Sequence, residues 1–129
     1  MDTRHVLVRD GVHPYAVIVI ADDSGERVVL WRRDPALALR PDDIDAEVIR
    51  GSRLLHVDDV DLPAALTACA LAREVGLPIT SDIESAAAAS LIEAVTIPIL
   101  AEAVPAALTG RTDPVEALRD LRRPHHQML

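Results

Sequence analysis

The chain has 129 residues, half of them apolar, with a formal charge of -8 and a single cysteine. That length suits one domain, no apolar run reaches the roughly 18 residues of a membrane span, and so acidic a surface argues against nucleic-acid binding. With Cys69 alone there is no internal disulfide or cysteine metal cluster, which fits a cytoplasmic protein, and every basic residue is Arg, with no Lys.

The start "MDTRHVLVRD" lacks an apolar stretch behind a basic one, so no secretory signal is expected. "HVLVR" (5–9), "YAVIVIA" (15–21) and "RVVLWRR" (27–33) are rich in β-branched residues and are separated by Asp10-Gly11 and by a turn at Ser24-Gly25. Short links between consecutive strands predict an antiparallel meander. Arg27, Arg32, Arg33 and Trp31 fall on its third strand, where arginines most simply keep an edge soluble.

From Asp34 the signals change. "DPALALRPDD" reads as a connector, and Asp42 or Asp43 is placed to cap a short helix carrying Ile44, Val48 and Ile49 inward. "RLLHVD" (53–58) predicts a strand. Asp61 is expected to cap the next helix, whose Leu62, Ala65, Leu66, Cys69, Ala72 and Val75 share a face up to a stop at Gly76. "LPITSD" (77–82) predicts a strand, Leu91, Ile92 and Val95 the inner face of a helix, and "TIPIL" (96–100) a third strand. A short helix then ends at "LTG", and Asp113, Pro114 and Glu116 carry the start signals of a last one. The tail, with His125 and His126, follows a proline and is expected to fray.

Alternating strands and helices with short links predict right-handed crossovers and a parallel sheet. Three segments result: antiparallel strands over 1–33, an α/β body over 34–124 and a flexible tail over 125–129. Ligands of such sheets sit outside the carboxyl ends of the strands, where Asp58, Asp82 and Glu102 stand. Asp59 is read as a solvated turn residue, His56 as a packed strand residue and Cys69 as a buried thiol. A phosphoacceptor receiver domain needs a Lys and a later strand-end Asp, and "PILAEA" offers neither. The P-loop also needs a Lys, and no Gly-x-Gly-x-x-Gly occurs.

In order and spacing, "YAVIVIADDSGERVVLWRRDPAL", "SRLLHVDDVDLPAALTACALAREVGLPITSDIE" and "TIPILAEAVPAALTGRTDPVEALRDLRR" resemble the middle of a ribokinase-like (PfkB) carbohydrate kinase. The resemblance implies an α/β, Rossmann-like fold: part of a three-layer parallel sheet, with an N-terminal antiparallel lid-like meander. It implies ATP-dependent phosphorylation of a sugar or related alcohol, with Mg2+ assisting. Asp58 and Asp82 would then bind substrate, and Glu102 would occupy the phosphate and metal region before Leu108-Thr109-Gly110. Ala101 and Val104 stand where many members carry an Asn and a second Glu.

Neither the family's N-terminal Gly-Gly segment nor its Gly-Ala-Gly-Asp motif occurs in these residues. No residue here is therefore expected to be catalytic, and the chain alone is expected to be inactive, as a truncated kinase. Two other roles stay open, a sugar-binding module without catalysis and an oligomerisation element whose lid-like strands pair in a homodimer.

Overall fold

The computed structural model describes residues 3–21, 23 and 27–127. They fall into two compact units, Met1–Ala38 and Leu39–Leu129.

In the first unit, β1 (Tyr15–Ile20) pairs antiparallel with β2 (Arg27–Arg32), with Tyr15 opposite Arg32 and Ile20 opposite Arg27. The turn expected at Ser24-Gly25 lies outside the described residues. The meander is a hairpin only, because residues 5–9 form no strand and find no ladder partner. Asp34 ties this unit together: its carboxylate accepts from the backbone N–H of Val12 (2.8 Å) and of Ala36 (2.9 Å). These donors, Val12 first, hold its carboxyl below the ordinary 3.8. The 3-10 turn Pro35–Leu37 follows.

The second unit contains α1 (Ala46–Arg50), β3 (Leu55–Asp58), α2 (Leu62–Glu74), β4 (Ile79–Asp82), α3 (Ala89–Ala94), α4 (Ala103–Thr109) and α5 (Pro114–Leu121). The cap of α1 is Asp45, which accepts from the N–H groups of Glu47 and Val48. Asp42 and Asp43 lie instead in a 3-10 turn, Pro41–Asp43, where Asp43 accepts from Arg40 N (2.6 Å). Asp61 stands at the start of α2 but makes no capping bond, because its Oδ2 accepts from Leu39 N (3.0 Å).

Helix α2 ends in a left-handed glycine, Gly76 (φ 68°). Leu77 N bonds back to Ala72 O and Gly76 N to Arg73 O, the pairing of a Schellman cap. The reversal puts Leu77 into the core and leaves Val75 exposed, contrary to the helical spacing. Leu91, Ile92 and Val95 are buried as their spacing predicts, and pack with Val57, Cys69, Ala72, Ile79 and Ile83. Each Val, Leu or Ile among them contributes about 1.5–3 kcal/mol by leaving water.

β3 and β4 are parallel, with Leu55 beside Ile79 and Asp58 beside Asp82. The third strand expected over 96–100 is reduced to two parallel bridges, Thr80 with Ile97 and Ile83 with Leu100. Pro98 has no N–H for a ladder, and two hydroxyls add to the few backbone bonds that join this segment to β4. Thr96 Oγ1 accepts from Ile79 N (2.8 Å), and the buried Ser81 Oγ accepts from Ile99 N (3.2 Å). Gly110 (φ 71°) ends α4, and Asp113 caps α5 through the N–H groups of Val115 and Glu116. Up to Gln127 the residues after α5 lie against the body, with His126 buried and Gln127 N donating to Thr96 O (2.8 Å).

Candidate functional site

Strand alternation decides which side chains meet. On β3 and β4 the buried face carries Val57, Ile79 and Ser81, while His56, Asp58 and Asp82 are exposed on the other, with Thr80 half-buried among them. His56 Nδ1 lies 2.8 Å from Thr80 Oγ1, so this histidine joins the two strands instead of packing in the core. One step further on, Asp58 and Asp82 stand in register at the carboxyl ends of the strands, about 4.8 Å apart along the ladder direction. Asp58 Oδ1 accepts from Val60 N (3.0 Å), fixing the turn that leads into α2.

Asp59 is more than a solvated turn residue. Its Oδ2 accepts from the N–H groups of both Glu84 (3.0 Å) and Ser85 (2.8 Å), clamping the end of β3 to the loop after β4. The loop beside Asp82 is thereby held in place. Nothing near Asp59 in the sequence signals this bond, because its partners lie 25 and 26 residues on.

Glu102 stands apart from this pair of acids in its surroundings. It begins α4 without a capping bond and lines an open depression of about 370 Å3 with Ala103, Pro105, Ala106, Arg111, Thr112 and Pro114. Arg111 is paired there with Asp120 (2.9 Å) and Glu116 (3.4 Å), so much of its charge is already answered. Ala101 supplies no oxygen donor, and Val104 is buried. Among the described residues no three His, Cys, Asp or Glu side chains converge on a point that could hold a metal ion. The residues present therefore do not fit a Mg2+ site.

Cys69 is fully buried, and loss of solvation pushes its thiol up to about 11, which makes it a core residue and no nucleophile. No helix of the described residues is long and apolar enough to cross a membrane.

The architecture has solved counterparts. A ribokinase-type protein from Agrobacterium tumefaciens matches with a TM-score of 0.73 and 25% identity over 84% of this chain and 36% of that one. The adenosine kinase of Sinorhizobium meliloti matches with a TM-score of 0.69 and 18% identity over 84% and 38%. A ribokinase II-type protein from E. coli in complex with ATP and Mg2+ matches with a TM-score of 0.61 and 14% identity, over 82% and 40%. The fold is ribokinase-like. This chain spans only 36–40% of the length of these three proteins. No family model matches it, and neither does any curated protein.

Proposed function

We propose that this chain forms the central part of a ribokinase-type (PfkB) carbohydrate kinase fold and presents Asp58 and Asp82 to the hydroxyls of a sugar or related alcohol. The observation that carries this reading is the in-register placement of the two exposed carboxylates at parallel strand ends. Carboxylates are strong acceptors for hydroxyl donors, and strand spacing matches the reach between hydroxyls on one small polyol. Asp59 acts as a positioning residue by holding the loop that follows Asp82.

In this reading ATP and Mg2+ serve the whole kinase fold, in the cytoplasm, and Glu102 marks the phosphate side. Phosphoryl transfer depends on positioning and on stabilising charge. These residues supply neither a catalytic base nor an anion hole, so the chain alone binds without turning over.

The test is thermal melting of the purified chain across common sugars, beside a coupled ADP-release assay with ATP and Mg2+. One sugar class raises the melting temperature, as a ligand of the folded state must, and Asp58→Asn and Asp82→Asn abolish the rise. Sugar-dependent ADP release by the chain alone would overturn its inactivity. Melting curves that no sugar moves would remove the binding site.

A second reading rests on the hairpin. Val17, Val19, Val28 and Leu30 on one side and Ile18, Val29 and Trp31 on the other are all exposed. Isolated two-stranded hairpins are marginal in water, and two apolar faces call for a covering surface. A second copy of this chain, paired through β1 and β2, supplies one. Light scattering showing a monomer at all concentrations would dismiss this homodimer.

A further inference from the structure

The residues after α5 make a set of contacts that the proposed sugar site does not use. His126 is buried, and both of its ring nitrogens are engaged. Nε2 lies 2.9 Å from Ile92 O, and Nδ1 lies 3.1 Å from the backbone N–H of Arg123. A carbonyl only accepts and an N–H only donates, so this pairing holds a single form of the ring: neutral, with its proton on Nε2. Protonating Nδ1 would set two donors against each other in a buried place and break the contact with Arg123 N.

The same segment is fastened at two more points. The Arg123 guanidinium binds both oxygens of Glu93 on α3 (2.7 and 2.9 Å), and Gln127 N donates to Thr96 O (2.8 Å). Thr96 begins the third, irregular strand, whose other side bonds to β4 through Ile79 and Ile83. Gln127 therefore covers the first outward carbonyl of the sheet's outer edge. Exposed edges of this kind are ready templates for pairing with another chain.

We propose that segment 122–127 is an acid-released latch, which closes the outer edge of the parallel sheet while His126 is neutral and frees it when Nδ1 takes up a proton.

The surroundings of His126 agree with this. From its own segment, His125 stacks edge-on with ring centroids 4.7 Å apart, and Arg123 adds a second positive neighbour. From α3, Glu93 favours the cation, but that carboxylate is already spent on Arg123. From α2, Arg73 reaches the carbonyl of Glu93 (3.3 Å) and brings one more positive charge to the same corner. Burial is the largest influence, and it holds the imidazole below its ordinary 6.5. The latched form thus binds its proton less readily than the released form. Closure is at its strongest above 6.5 and weakens as pH falls from there toward the latched value, by at most about tenfold in the open-to-closed ratio per pH unit.

Hydrogen exchange of the amides in 122–127, corrected for the intrinsic effect of pH, tests this between pH 8 and pH 5, with the amides of α2 as the reference for global folding. In the native chain, protection of 122–127 is lower at pH 5 than at pH 8 while α2 stays protected. His126→Gln keeps a donor toward Ile92 O but cannot titrate, and its protection stays level with pH. His125→Gln keeps a loss of protection at pH 5, since His126 itself remains free to take up the proton. Equal protection of native 122–127 at both pH values overturns the latch, as does simultaneous loss of protection in α2. Should His126→Gln not fold, the ring signals of the native chain decide: His126 must titrate below the ordinary 6.5, and a His126 midpoint at or above 6.5 refutes the proposal.

Discussion

Replacing Asp59 by Ala removes one carboxylate oxygen that two backbone N–H groups share, those of Glu84 and Ser85. Hydrogen bonds to a charged acceptor contribute about 1.5–3 kcal/mol each. Glu84 and Ser85 are exposed, however, so water replaces much of what the freed N–H groups lose. A net cost of about 2 kcal/mol follows for the pair. For a unit the size of Leu39–Leu129, unfolding entropy near 0.2 kcal/mol/K converts this to a fall in Tm of about 10 °C. Asp59→Asn keeps an acceptor oxygen without its charge and should cost roughly half as much. Circular dichroism melts of the three proteins at pH 7 measure both values. An Asp59→Ala protein melting within about 2 °C of the native chain would show that the clamp holds nothing, and the positioning role assigned to Asp59 beside Asp82 would go with it.

Ser81→Ala leaves Ile99 N without its acceptor beside a buried position, and urea unfolding should show a loss of about 1–3 kcal/mol, whereas the exposed Ser90→Ala should change little. Cys69 should resist a thiol reagent in the native chain at pH 8 and react at once in urea, and fast labelling without denaturant would contradict its burial. Glu93 is held below its ordinary 4.5 by the Arg123 guanidinium, so the stability from this pair is full above 4.5 and is lost as pH falls through the lowered value. Arg123→Gln should therefore flatten the acid limb of the stability profile below 4.5, and a limb unchanged by the substitution would argue against the pair.

Local chemistry determined the elements that are legible in the residues alone. The β-branched runs of β1 and β2, the i, i+3, i+4 spacing around Leu91, Ile92 and Val95, the stops at Gly76 and Gly110 and the cap at Asp113 depend on neighbours a few positions away. Asp58 and Asp82 could be assigned to strand ends for the same reason, since strand length and turn signals are local. Only the tertiary structure decided which polar groups bond to distant parts of the chain. Asp61 leaves its own helix for Leu39, and Thr96 and Ser81 add side-chain bonds where Pro98 interrupts the ladder. The burial of His126 against Ile92 is likewise a matter of where the chain returns, 34 residues on. A carboxylate or hydroxyl accepts equally well from any N–H within reach, and reach is set by the folded path of the backbone, not by order along the chain.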